Sequence, residues 1–301
     1  MATVVLNQAD RPPFAMARAK VRGSLALDFK RDTLSGRTYL ADSVQEPPLR
    51  IVRPFTLEDG SVLVHLHNVS GGLLGGDRLK SSVNVGAGTS VQLTTTGATR
   101  VYRSKQDGVT TLQINKFTIS RDALLEYVPD AIIPFAKSSF RQETTVDLEA
   151  GGGLLWWEIL APGRAARGER FEYDCVELKT DLKANGQMIS AENVRIQPKR
   201  SDISSVGRLG PYCHWATFYI VRVGVDAAFW HATEQRLREV IGCFCRSSEE
   251  VWGVSTLVAH GLVIRGLTRN GANILPNLRT IWSEAKLLLY GREAIFPRKT
   301  N

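Results

Sequence analysis

Four glycines crowd into six positions at Gly71-Gly72-Leu73-Leu74-Gly75-Gly76, and an acid, Asp77, follows directly. Glycine costs conformational entropy wherever it is not needed, so a run this dense marks a backbone that turns sharply or lets another group come close. A phosphate cradle would need Lys-Ser or Lys-Thr after the last glycine and a helix beyond it, whereas Asp77 and a strand-like segment follow here. The alternative is a tight corner between strands, with Asp77 accepting hydrogen bonds from the loop amides.

Carboxylates then recur in apolar company. Glu126 and Asp130 bracket Tyr127-Val128-Pro129 ahead of Ile132-Ile133-Pro134-Phe135, and Glu158 follows Trp156-Trp157. A charge in such surroundings is costly unless it is paired or solvated. Acids placed this way suit general acid and base work, loose coordination of a divalent ion, a buried salt bridge or a loop cap. His65 and His67 share one face of a strand, and Cys243 and Cys245 offer soft ligands, but neither pair has a second pair at a zinc-site spacing. The hydroxyl run Thr94-Thr95-Thr96, continuing through Gly97-Ala98-Thr99 to Arg100-Val101-Tyr102-Arg103-Ser104, fits a polar channel wall, a partner surface or a capped turn. No Gly-x-Ser-x-Gly, His-Glu-x-x-His or Cys-x-x-Cys motif occurs.

The elements that position these groups are mostly strands. From Lys20 to about Ile196 short β-type runs are divided by Gly, Pro, Asn and Asp, with strands expected at 62–67, 90–95, 110–119, 123–128, 144–148 and 154–160. Asn185-Gly186 tolerates the positive φ of a tight hairpin between 176–182 and 187–196. The last third changes period. Apolar residues at spacings of three and four predict one helix over 227–241 and a second from about Pro276 to the stop at Gly291, with two strands, 254–258 and 262–267, between them. The fold expected is therefore a β body with a β-α-β-β-α tail.

With 301 residues the chain is long enough to bury a core without disulfide or metal support, and 23% charged against 43% hydrophobic residues is the composition of a globular protein. No apolar stretch reaches the roughly 20 residues that cross a bilayer. The start of the chain lacks the apolar run of a secretory signal, and four irregularly spaced cysteines suit a reducing compartment, which together point to the cytoplasm. The net charge of +8 is scattered, so it fits an acidic protein partner at least as well as nucleic acid.

Taken in order, the glycine loop, Gly97 to Ser104, Glu126 to Asp130 with Pro134-Phe135, and Trp157-Glu158 with Gly163-Arg164 and Gly168-Glu169 resemble the UreD (UreH) family of urease accessory proteins. The residues that carry the resemblance include Gly71, Gly72, Gly75, Gly76, Gly97, Arg100, Tyr102, Gly163 and Arg164, and it extends with decreasing strength to Leu287-Leu288-Leu289-Tyr290-Gly291-Arg292 and Pro297-Arg298. The family follows that Pro-Arg with an apolar residue and tryptophan, and Lys299-Thr300-Asn301 stands here instead. The resemblance implies one domain over 1–301, with 1–19 flexible, and a mainly β, helicoid-like stack of short strands with two helices in the C-terminal third. It implies a non-catalytic scaffold that forms a hetero-oligomer with UreF, meets the GTPase UreG through UreF, and docks on apo-urease. No cofactor is held tightly; nickel passes transiently along oxygen donors, for which Asp77 and Glu158 are first choices, Glu192 the third, and Glu126 and Asp130 the fourth.

Two other classes stay open at this point: a β-solenoid hydrolase using Asp77, Glu126 or Asp130 as acid and base, and a nucleic-acid module built on Tyr102 between Arg100 and Arg103.

Overall fold

Parallel neighbours in a sheet need a connection of a dozen or more residues, usually a helix; this chain makes that connection with a strand in a second sheet. The computed structural model describes residues 21–104, 108–246 and 248–297. The segment expected to be flexible, 1–19, and the closing residues Arg298 to Asn301 lie outside the described residues, as does Asp107, which with Gly108 reads in the sequence as a turn.

The elements in chain order are β1 (Arg22–Arg31), β2 (Thr38–Glu46), β3 (Leu49–Ile51), β4 (Phe55–Thr56), β5 (Val62–Asn68), β6 (Arg78–Val85), β7 (Ser90–Thr95), β8 (Thr99–Val101) and β9 (Thr111–Ile119). They continue as β10 (Leu124–Tyr127), β11 (Ile132–Pro134), β12 (Ser139–Leu148), β13 (Gly153–Leu160), β14 (Cys175–Ala184), β15 (Gln187–Ile196) and β16 (His214–Arg222). Helix α1 (Ala227–Gly242), strands β17 (Glu250–Thr256) and β18 (Gly261–Thr268), and helix α2 (Ile274–Tyr290) complete the chain.

One sheet has seven strands in the order β15-β14-β12-β9-β6-β1-β2, and the other has eleven, running β17-β18-β16-β13-β10-β7-β5-β3 with β4, β8 and β11 to the side. From β5 to β14 the chain alternates between them, β5, β7, β10 and β13 in the larger sheet and β6, β9, β12 and β14 in the smaller, and neighbours within each set are parallel. The expected β body with two C-terminal helices is the fold observed, and the parallel coil is what makes it helicoid-like.

The sequence dictates the corners. Asn185 and Gly186 take φ of 49° and 80° between β14 and β15, as a two-residue hairpin requires. The Asp226 side chain accepts a hydrogen bond from the Phe229 amide and starts α1, while Gly291, at φ 62°, ends α2.

Three apolar clusters divide the interior. One fills the sandwich around Phe29, Val64, Phe117, Leu148 and Trp156. A second fills the other end of the sandwich around Leu73, Val101, Phe140, Leu160 and Tyr173. The third lies on the outer face of the larger sheet, where Leu155, Trp157, Phe218 and Ile264 pack under Leu237 of α1 and Leu278, Ile281, Trp282 and Ala285 of α2. Strand β12 starts at Ser139, five residues before the expected 144, because its inward positions Gln142 and Thr144 are polar and hide the apolar alternation.

A Cβ at Gly186 would have no atom within 4 Å, so only backbone strain opposes it. Gly186→Ala is expected to lower stability by about 1 kcal/mol, read from the urea midpoint with the slope unchanged.

Candidate functional site

The motifs that are far apart in the chain meet at one end of the sandwich. Leu73 donates its amide to the Arg100 carbonyl at 2.8 Å and accepts from the Tyr102 amide at 2.8 Å, which ties the glycine loop to β8. A Cβ on Gly72 would stand 2.8 Å from the Arg100 oxygen and still closer to the Tyr102 ring, so that approach requires glycine. The Tyr102 hydroxyl donates to the Gly71 carbonyl, and its ring lies edge-on to Phe135 with centroids 4.9 Å apart. The Arg164 guanidinium covers the other side of that junction, 4.5 Å from the Phe135 centroid, and pairs with Glu169. Asp77 is buried at the base of the loop and accepts the Leu74 amide at 2.8 Å, which is the loop-cap geometry expected of it.

Between the two apolar clusters of the sandwich lies a polar layer, set by strand register. On the smaller sheet Ser81 stands beside Asn115, Asn115 beside Thr144, Thr144 beside Thr180, and Thr180 beside Glu192. On the larger sheet Glu158 stands beside Thr217 and Thr217 beside Arg265, with Thr95 at the same side of β7. Gln142 donates an amide hydrogen bond to Glu158, Asn115 bonds Thr144 at 3.3 Å, the Tyr219 hydroxyl donates to Glu192, and Arg265 pairs with Glu192 at 3.2 Å. The Thr217 hydroxyl is buried with no hydrogen-bond partner among the described residues.

The layer joins two cavities. At one end a cavity of about 260 Å³ is lined by Ser81, Thr95, Gln113 and Asn115 together with Gly71, Gly72, Gly97 and Arg100 of the motifs. At the other end a groove of about 510 Å³ is lined by Glu192, Arg265 and their neighbours.

Three of the acids singled out from sequence lie along this line. Asp130 accepts the Thr95 hydroxyl at 3.0 Å at the rim of the first cavity, Glu158 sits in the middle, and Glu192 borders the groove. The other two are placed elsewhere: Asp77 beneath the glycine corner, and Glu126 on the opposite face of the larger sheet. Glu126 is wholly buried there, accepting from Trp282 Nε1 at 2.7 Å and from Lys286 at 2.9 Å, with Asp59 3.6 Å from the same ammonium. Burial pushes its carboxyl up and Lys286 opposes that shift. Sequence reasoning missed Ser81, Asn115, Thr144 and Thr180, which announce themselves only as polar residues at one register position in successive strands, and with them Gln142, two residues before Thr144, and Thr217 of the facing sheet. Among the described residues no three His, Cys, Asp or Glu side chains are grouped to hold a metal ion.

Among the described residues Glu158 has no cationic partner. Burial, with a smaller push from the Glu192 charge and against the Gln142 hydrogen bond, takes its pKa up to about 8.

The site is thus a glycine corner and a polar seam set into a two-sheet sandwich. Comparison with known proteins identifies the family. The family model described as UreD urease accessory protein matches residues 21–301. A urease accessory protein UreD from Herpetosiphon aurantiacus is 45% identical over 281 residues, 93% of this chain and 96% of its own length. The same-named protein of Staphylococcus epidermidis is 29% identical over 84% of this chain and 90% of its own, and that of a Staphylococcus aureus strain 28% over 87% and 93%. This chain belongs to the UreD family of urease accessory proteins, and its role lies in urease maturation. No helix among the described residues is long and apolar enough to cross a membrane.

Two outcomes follow. Because folded Glu158 keeps its proton up to about pH 8 and an unfolded glutamate releases it near 4.5, the native state binds more protons between those values. Wild-type stability is therefore expected to fall as pH rises through that window, and Glu158→Gln to remove the slope, a difference on the order of a few kcal/mol in denaturant titrations. Lys286→Met leaves Glu126 buried and alone and is expected to cost about 3–5 kcal/mol, most of it recovered when Glu126→Leu is added.

Proposed function

We propose that this chain is a non-catalytic scaffold of urease maturation that binds apo-urease together with UreF and, through UreF, the GTPase UreG, and that nickel crosses it along the polar layer. The observation that supports the passage is the layer itself: hydroxyl, amide and carboxyl oxygens in one register row, running from the cavity behind the glycine corner to the groove at Glu192.

Such donors suit an ion in transit. Nickel here is cargo, and a passage works only if each stop binds well enough to admit the ion and weakly enough to release it. Neutral oxygens, the protonated Glu158 carboxyl among them, and a carboxylate already shared with Arg265, Glu192, meet that need better than thiolates, which hold borderline metals tightly. Asp130 offers a carboxylate at one end, Glu158 and the unpartnered Thr217 hydroxyl stand together in the middle, and Glu192 waits at the other end. Asp77 and Glu126 serve by holding the walls, the first fixing the glycine corner and the second fastening α2 to the sheet. GTP hydrolysis belongs to UreG and asks for no phosphate loop in this chain, no cofactor is held tightly, and the work is done in the cytoplasm.

Co-expression of the urease structural and accessory genes tests both halves. Omitting this chain is expected to abolish activation. Glu158→Leu, close in volume, is expected to leave the complex with apo-urease and UreF intact while urease nickel content and activity fall at least tenfold. Full activation by the leucine variant would refute the passage, and full activation without the chain would refute the scaffold.

A further inference from the structure

The two sheets do not end together. Among the described residues strand β15 is the terminal strand of the smaller sheet, paired with β14 alone. It lies over β16 and β18, as its Glu192 contacts with Tyr219 and Arg265 show. The larger sheet continues past that point through β18 to β17. On β17 one face is covered: Glu250 and Trp252 are buried beside α1. The other face, which should meet the smaller sheet, carries Val251, Gly253 and Ser255, directly across from Leu267, Arg265 and Val263 of β18, and all three are exposed, Val251 to 39%. Among the described residues no strand covers this face.

The groove that borders this face, reaching it at Leu267 beside Val251, has a definite chemistry. Its walls include the apolar side chains Val194, Ile203, Leu209, Trp215 and Leu267, and its lining carries Arg195, Arg208 and Arg265 against one carboxylate, Glu192. A terminal strand offers a row of backbone donors and acceptors to an incoming strand, and the excess of arginine selects acids on it. The chain's own ends are poor occupants: residues 1–20 hold one acid, Asp10, against Arg11, Arg18 and Lys20, and the last four residues hold Arg298 and Lys299 with no acid. A second copy, at net charge +8, meets the same repulsion.

We infer that an extended, acidic segment of another protein, with aliphatic residues alternating with glutamate or aspartate, adds to the free edge of β15 and covers the bare face of β17 and β18. Its apolar side chains fill the gap between Trp215, Leu267 and Val251, and its acids pair with Arg208 and Arg265. The groove is also the mouth of the proposed passage, but docking is read on its own, because peptide binding requires no ion to cross the interior.

The probe is a seven-residue peptide, capped at both ends, that alternates glutamate with valine and leucine, compared with the same peptide carrying lysine for glutamate. Binding to the full chain is followed by Trp fluorescence and by amide hydrogen exchange. The expected result is saturable binding of the glutamate peptide that weakens at least tenfold in Arg208→Glu/Arg265→Glu and with added salt, with new protection confined to 187–196 and 250–268. Equal binding of the two peptides, protection elsewhere, or no saturable binding overturns the inference. Self-association of the wild type that is lost in the double variant also overturns it, by assigning the groove to a second copy. Should the double variant fail to fold, the salt dependence and the protection map on wild type decide alone.

Discussion

A carboxyl group stands at Glu158, in the middle of a two-sheet interior, where a sandwich ordinarily places an apolar side chain, and no cation among the described residues pairs with it. Leaving such a group ionised in a dry interior is expensive, so it keeps its proton or finds polar company. The surroundings supply both answers: its pKa is raised, and Gln142, Thr217 and the Glu192 end of the layer form a polar neighbourhood instead of a single counter-ion. The layer is conditional on this arrangement. If Glu158 had been locked to an arginine, the middle of the sandwich would be a closed salt bridge; as it is, the place is polar and uncommitted.

The coil makes the layer continuous. Because successive strands of each sheet are parallel and in register, a residue type chosen at one position of one turn stands directly beside the corresponding position of the next. Ser81, Asn115, Thr144 and Thr180 thus become a row rather than scattered hydroxyls and amides, flanked by apolar rows of which Val83, Phe117 and Val146 are one. The corners of the coil must be tight, and the glycine loop, Tyr102, Phe135 and Arg164 interlock to make one of them. Conserving stability at the corner and polarity in the seam are separate demands, which is why Asp77 caps a loop while Glu158 faces the interior. Glu126 answers a third demand, since a helix laid on a sheet is held by its apolar stripe and, here, by one buried ion pair with Lys286.

Much of this was legible in the residues. The alternation Val64-His65-Leu66-His67, the apolar run Leu154 to Leu160, the Asn185-Gly186 turn, and the three-and-four spacing before Gly291 each specify a local conformation, and local conformation is what short-range pattern encodes. The parallel coil was not legible, because which strand pairs with which depends on contacts far apart in sequence. The polar row was hidden for the same reason and for one more: in β12, Gln142 and Thr144 erase the very alternation that reveals a strand, so its first half went unseen. Of the acids, local context marks Glu126, Asp130 and Glu158 as costly, but only the register separates those beside the layer from the one behind the sheet.

The most direct test of the central claim is anomalous scattering at the nickel edge from crystals of the full chain grown with Ni²⁺. The account predicts a nickel peak inside the sandwich, within coordinating distance of Glu158 or Glu192, that disappears from the Glu158 position in the leucine variant. Nickel found only on surface histidines or cysteines, with the layer dry and empty of metal at every concentration, would contradict it.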